Sequence, residues 1–223
     1  MREKLSLVVP VYFEEECVIQ FIKETTSTLA QLDVDWEIVF IDDGSEDRTV
    51  PIINEQAKEN NNIKLIELSY NHGKQAAVSA GIKHTSGDYI IYMDPDLQDP
   101  PEEIPRFLDE IRKGNDLVFG IRKEKVDSRI NILFSKIFWG TLNRFTGLKI
   151  PKGLAVMRIF NRKFAEKFLE YNEQNRFIEG IFMHIGLKRS VIEIEQRKRF
   201  AGQSKFNFKK KMTIIGKRHG EKM

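Results

Sequence analysis

The chain has 223 residues, a single cysteine and a net charge of +3, a length that suits one α/β domain rather than two. The lone Cys17 excludes an internal disulfide and a cysteine metal cluster, which fits a reducing compartment, and no apolar run reaches the ~20 residues needed to span a bilayer. The net charge hides a division: residues 1–127 hold 14 Lys+Arg against 26 Asp+Glu, whereas residues 128–223 hold 22 against 7, so an anionic partner is expected at the second half.

In chain order, Leu5 to Val11 is a short β-branched run read as a strand, with Pro10, Tyr12 and Glu14 gathered at its end. A helix-length segment, Glu15 to Leu32, separates it from a second strand, Trp36 to Ile41. There Asp42-Asp43-Gly44-Ser45 follows, with Asp47 and Thr49 close behind. Adjacent acids in such a turn can accept hydrogen bonds from a base N–H and ribose hydroxyls, and the same residues make a good helix N-cap. A helix over 47–60 and a strand over 63–68 lead to Asn71-His72-Gly73-Lys74, a glycine turn opening a helix to His84. Such a turn can bring backbone N–H groups and an ammonium to a diphosphate.

The fourth strand, Tyr89 to Met93, runs straight into Asp94-Pro95-Asp96-Leu97-Gln98-Asp99-Pro100-Pro101-Glu102. Two carboxylates spaced i, i+2 at a strand end can approach one hard cation, and Gln98 offers a neutral oxygen. Mg²⁺ and Mn²⁺ favour a few carboxylates completed by substrate phosphate oxygens. An isolated Asp-x-Asp is more often a polar turn. A helix from Pro101 to Lys113 and a strand from Leu117 to Phe119 come next, then Gly120 and Arg122. From Arg129 to Phe145 apolar residues recur at helical spacing, with Arg129, Lys136 and Arg144 beside the stripe. Leu154 to Phe160 and Val191 to Gln196 read as strands with two short helices between them, and a basic tail begins at Arg197. His84, His184 and His219 lack paired spacing, and no nucleophilic triad pattern surrounds a serine or Cys17.

Alternating strands and helices predict a mostly parallel central sheet flanked by helices, with ligands beyond the carboxyl ends of the strands. Four polar clusters fall at four successive strand ends. Together they resemble the family 2 glycosyltransferases of the GT-A (nucleotide-diphospho-sugar transferase) fold over about residues 5–205. The longer Asp-x-Asp-x-Gln-Asp-Pro-Pro-Glu run is similar to that of the dolichyl-phosphate mannose synthases and polyprenyl-phosphate glycosyltransferases. That resemblance implies Asp94, Asp96 and Gln98 for the metal, Mg²⁺ or Mn²⁺. It implies Pro10, Tyr12, Glu14, Asp42, Asp43, Lys74 and Asp94 for the donor, and Arg122, Arg129, Ser135, Arg158, Arg199 and Lys205 for phosphates and acceptor. Asp94, Asp96, Arg122 and Arg129 are the implied catalytic set. Arg199 with Gly202, Ser204 and Lys205 matches the family's Arg…Gly-x-Ser-Lys element.

Two positions depart from the family pattern within the site. Phe13 stands where Asn is usual, and Ala-Val-Met-Arg at 155–158 stands where many relatives carry Gly-Asp-Phe-Arg, so that Val156 replaces an acid. The expectation is therefore a catalytic domain over 1–205, with a nucleotide-sugar-binding half to 127 and an acceptor- and membrane-facing half from 128. A basic tail over 206–223 without a transmembrane region completes it. The implied activity is inverting transfer of a sugar from a UDP- or GDP-linked donor to a polyprenyl (undecaprenyl or dolichyl) phosphate, by a cytoplasmic protein peripheral at an anionic membrane surface. A family 2 enzyme with a glycan or soluble acceptor and a non-catalytic nucleotide-sugar-binding module are the competing expectations. Acidic strand ends argue against nucleic acid as a partner.

Overall fold

The structure, a computed structural model, describes residues 2–123, 153–171 and 178–201. The amphipathic stretch from Arg129 to Phe145, with Ser135, and the Gly202 to Lys205 element lie outside the described residues. Seven strands form one sheet: β1 (Lys4–Val11), β2 (Asp35–Asp42), β3 (Ile63–Glu67), β4 (Tyr89–Tyr92), β5 (Leu117–Arg122), β6 (Leu154–Asn161) and β7 (Arg189–Ile194). Their order is β3-β2-β1-β4-β6-β5-β7. All pairings are parallel except those of β6, which is antiparallel to both β4 and β5.

Strand β1 is central and buried on both faces, which is why it reads as a continuous apolar run rather than an alternating one. Pro10 is tolerated within it because its ladder to β4 ends at Val8↔Tyr92, so the missing N–H falls beyond the last pair. Strand β5 extends three residues past the apolar core of its sequence signal, to Arg122, because β7 pairs with it as far as Arg122↔Ile194.

Helices α1 (Val18–Leu29), α2 (Thr49–Glu59) and α4 (Ile104–Arg112) cover one face, where Leu5, Leu7, Val9, Phe21, Phe40, Ile53 and Phe107 pack together. Helices α3 (Lys74–His84), α5 (Arg162–Leu169) and α6 (Ile178–His184) cover the other, over Val8, Ile41, Tyr92, Phe119, Phe160 and Phe164. Helix α3 lies so close to the sheet that a Cβ at Gly81 would meet Ile41 Cδ1 at 2.4 Å and Val8 Cγ1 at 2.5 Å. Helix α5 starts where Asn161 accepts the Phe164 N–H at 2.9 Å, an N-cap on the residue that ends β6. Among the described residues no helix is long and apolar enough to cross a membrane.

Candidate active site

Because β1, β2, β3 and β4 run parallel, their carboxyl ends lie on one edge of the sheet, and the polar clusters meet there. Register fixes the spacing. Val11 pairs with Asp42, and extending Val8↔Tyr92 by two residues sets Asp94 level with Pro10. Asp42 and Asp94 therefore stand within one residue of the same height on the two sides of β1, two strand spacings or roughly 10 Å apart across it.

The loops after β1 and β2 are tied together. Ser45 Oγ accepts the Phe13 N–H at 2.9 Å, Thr49 Oγ1 the Glu14 N–H at 2.8 Å and Glu15 Oε2 the Arg48 N–H at 3.0 Å. These bonds hold Tyr12, Phe13 and Glu14 beside the acidic turn. Phe13 itself sits at φ 53°, a left-handed conformation that asparagine tolerates better than a bulky side chain. Asp42 Oδ2 accepts from the Gly44 and Ser45 amides at 3.1 and 2.9 Å, closing the turn. Gly44 is at φ 82° and so near Tyr70 and Asn71 that a Cβ would meet the Asn71 nitrogen at 2.9 Å. The other oxygen, Asp42 Oδ1, is buried and has no hydrogen-bond partner among the described residues. An orphaned buried acceptor costs about 1–3 kcal/mol and is the kind of atom that a ligand N–H or O–H satisfies.

Asp43 is engaged by the turn that follows β3. Its two oxygens accept the His72 and Gly73 amides at 2.7 and 2.9 Å, so these N–H groups fasten the start of α3 to β2 instead of opening toward an anion. Burial pushes the Asp43 carboxyl above its usual range in spite of both bonds. Beside this turn Tyr70, 65% exposed, stacks on His72 at 3.8 Å between ring centroids.

The pair Asp94 and Asp96 each meets a cation of the chain itself. Lys74 Nζ, from the first residue of α3, lies 2.6 Å from Asp94 Oδ2. Burial works against the Lys74 charge, but Asp94 and the Tyr92 hydroxyl outweigh it and hold the ammonium above the ordinary lysine range. Burial pushes the Tyr92 phenol up to about 12, so it stays a neutral donor and acceptor. Asp96 Oδ2 lies 2.8 Å from Arg199, and its Oδ1 accepts the Gln98 amide at 3.0 Å. Burial, reinforced by the Asp94 charge, raises the Asp96 carboxyl.

Among the described residues no group of three or more His, Cys, Asp and Glu side chains could cage a metal. The donor set nonetheless fits a hard divalent cation completed by phosphate oxygens. Two carboxylates converge at one strand end, and each is now neutralised by a side-chain cation standing where a metal charge would serve. Gln98 takes part through its backbone, donating to Asp96 and accepting the Arg197 N–H at 3.0 Å.

The segment carrying Arg199 is strapped across this edge. Arg197 pairs with Glu24 at 2.7 Å and with Glu102, the Phe200 N–H reaches Asp96 O at 3.1 Å, and Cys17 Sγ lies 3.4 Å from Ala201 O. Asp99, within the acidic run but given no role by the sequence reading, is the hinge of this arrangement. It is buried, accepting the Met157 amide at 2.7 Å and the Gln196 side chain at 2.5 Å, so it joins the Asp94–Asp96 loop to β6 and to the end of β7. Arg122 is exposed at the end of β5, on the same edge. Arg158 is only 2% exposed: its guanidinium packs against Tyr92, Phe119 and Phe182, 5.1–5.7 Å from their ring centroids. Arg129, Ser135 and Lys205 fall outside the described residues.

A family model for glycosyl transferase family 2 matches residues 6–169. The chain belongs to this family. It is 33% identical over 209 residues to the glycosyltransferase sll0501 of Synechocystis, covering 93% of this chain and 66% of that protein. To YkcC of Bacillus subtilis it is 30% identical over 210 residues, 94% of this chain and 65% of the relative. The chain thus spans just under two thirds of these relatives. Among solved structures it resembles the mannosyltransferase PcManGT of Pyrobaculum calidifontis in complex with GDP-Man and Mn²⁺ (TM-score 0.64, 15% identity, 92% of this chain and 59% of that one). It also resembles S. aureus TarS 1-349 in complex with UDP (TM-score 0.59, 20% identity, 86% and 59%). Glucosyl-3-phosphoglycerate synthase of Mycobacterium tuberculosis, with Mn²⁺, UDP-Glc and phosphoglyceric acid, gives TM-score 0.59 at 18% identity over 90% and 73%. At such identities the likeness speaks to the fold, which is GT-A, as its seven-stranded, mostly parallel sheet also requires.

Proposed function

We propose that this chain transfers a sugar, with inversion, from a nucleoside-diphosphate donor to a polyprenyl phosphate at a membrane face. The observation that carries the donor half is the convergence of Asp42, with its unpartnered buried oxygen, and the cation-paired Asp94 and Asp96 on one sheet edge. In this reading Tyr12, Glu14 and Asp42 surround the nucleoside, and Asp94 and Asp96 would hold a divalent cation that neutralises the departing diphosphate. Lys74 and Arg199 are displaced from the two carboxylates as the donor arrives and turn to its phosphate oxygens. A guanidinium suits that exchange, being permanently charged and able to grip phosphate with two N–H groups. The structural neighbours bound to GDP-Man, UDP and UDP-Glc support a nucleotide-sugar donor.

The acceptor half rests on the sequence: the Asp94–Glu102 motif, the basic second half with Arg122, Arg129, Ser135 and Lys205, and Val156. An acid at position 156 would be available to deprotonate a hydroxyl acceptor. A phosphate monoester is already ionised near neutral pH and needs no such base, so the valine is compatible with it. On this view residues 1–127 handle the donor, residues 128–205 the acceptor, and the basic tail meets anionic lipid. The test is transfer of labelled sugar from a panel of UDP- and GDP-sugars with Mn²⁺, to undecaprenyl phosphate in one arm and to a sugar hydroxyl in the other. Transfer to the lipid phosphate alone is expected. Transfer only to the hydroxyl acceptor would replace this reading with the glycan-acceptor one, and donor binding without turnover to either would leave a binding module.

A further inference from the structure

Arg158 is a buried cation with an incomplete set of partners. Its Nε donates to Val156 O at 3.0 Å and its Nη2 lies 3.4 Å from Ala155 O, while Nη1 is buried with no hydrogen-bond partner among the described residues. The acid paired with it is Glu179, in the first turn of α6, at 3.9 Å from Nη2. That distance is ion-pair reach and not a hydrogen bond, which between these groups would close to about 2.7–2.9 Å. The Glu179 side chain keeps 39% of its surface exposed, against 3% for that of Arg158. A half-open carboxylate thus stands at ion-pair distance from a buried guanidinium packed among Tyr92, Phe119 and Phe182.

Register places Arg158 level with Tyr92, two residues before Asp94. Arg158 is opposite Tyr92 in the β4–β6 ladder, and strand side chains repeat on one face every two residues. The ladder ends at Tyr92↔Arg158; continued two residues past that last pair, it sets Val156 roughly one strand spacing (~5 Å) from Asp94, on the face shared with Tyr92. Tyr92 lies between the two cations, with Lys74 Nζ 5.7 Å and Arg158 5.2 Å from its ring centroid. The polar track runs Asp94, Lys74, Tyr92, Arg158, Glu179, with Phe119 and Phe182 packed on Arg158 and Val156 two residues before it in the strand.

We propose that Glu179, steered by Arg158, reaches the edge of the site from α6 and accepts a hydrogen bond from a hydroxyl of the sugar being transferred, in the place that Val156 leaves without a carboxylate. This rests on the nucleotide-sugar reading above. Glu179 is then a specificity residue and Arg158 the residue that positions it. A carboxylate at the far end of this track from Asp94, reached through Lys74, Tyr92 and Arg158, recognises the hexose and is indifferent to the nucleotide.

The test is calorimetric titration, with Mn²⁺, of UDP, GDP, UDP-glucose and GDP-mannose into the wild type, Glu179→Ala, Glu179→Gln and the double variant Val156→Asp/Glu179→Ala. Glu179→Ala is expected to weaken the preferred nucleotide sugar about 10-fold, the size of one charge-assisted bond, while the matching free diphosphate stays within about 2-fold. Glu179→Gln should lose less, and restoring an acid through Val156→Asp should recover several-fold of the lost sugar affinity. An unchanged ratio of sugar to diphosphate affinity in Glu179→Ala overturns the proposal. Equal weakening of both ligands with a lowered melting temperature also overturns it, since that assigns Glu179 to packing. A wild type that binds no nucleotide sugar removes the donor reading itself, and this inference with it.

Discussion

Two sets of buried carboxylates sit at opposite ends of the same strands and behave in opposite ways. At the amino end, Glu37 near the start of β2 accepts from Ser6 at 2.6 Å, Lys64 at 2.7 Å and the Ser86 amide at 2.8 Å. Burial opposes its charge, but these bonds overcome it and hold the carboxyl down at about 2. At the carboxyl end, Asp96 is pushed upward by burial, and Asp42 keeps an oxygen without a partner among the described residues. The first set is finished by the fold. The second is left for something else to finish, which is how structural and ligand-directed acids differ when burial is similar.

The largest expected effect falls at the unfinished end. Asp96→Asn keeps the shape and the Gln98 contact but removes the charge opposite Arg199, so transfer should fall ~10²–10³-fold, about 3–4 kcal/mol of transition-state stabilisation, with an unchanged melting temperature. Steady-state kinetics beside a thermal melt decides it; retained turnover would reject the role of Asp96. At the finished end the same kind of change should do the reverse. Glu37→Gln should cost about 1–3 kcal/mol of stability, a drop of roughly 2–4 °C per kcal/mol in a chain of this size, with kcat/KM per folded molecule unaltered.

The pH dependence follows from the sign of the Glu37 shift. A carboxyl depressed from 4.5 to about 2 contributes stability that is complete above 4.5 and drains away as pH falls toward 2. Urea unfolding across that window should show a steep acid limb in the wild type and a shallower one in Glu37→Gln. Equal limbs would mean that the two carboxylate sets do not differ as described.

Arg199→Ala should raise KM for the donor about 10-fold (~1.4 kcal/mol) and also lower the melting temperature, because it leaves the buried Asp96 carboxylate without its cation. The smallest effect is expected at Phe13. Asparagine there would relieve a left-handed backbone costing about 1–2 kcal/mol but lose the edge contact with Tyr12, at 4.5 Å between centroids and worth about 0.5–1.5 kcal/mol, so the net gain in stability should stay below about 1 kcal/mol.

By itself the sequence determined the strands, the alternation that makes the sheet mostly parallel and the placement of polar clusters at strand ends. These follow from local apolar runs and turn chemistry, which depend on near neighbours in the chain. It also singled out Asp94 and Asp96, because their spacing and their position after an apolar run are local facts. What it missed is long-range. The reversal of β6 depends on which strands it lies between, and Asp43 proved to fasten residues 72 and 73, which are near it only once β2 and β3 pair. Glu179, held beside Arg158, carries no local signal, and Asp99, although inside the acidic run, shows its partners Met157 and Gln196 only in the fold. Their chemistry comes from partners brought together by packing, and the burial that raises the Asp43 and Asp96 carboxyls is a property of the assembled sheet and not of any segment of it.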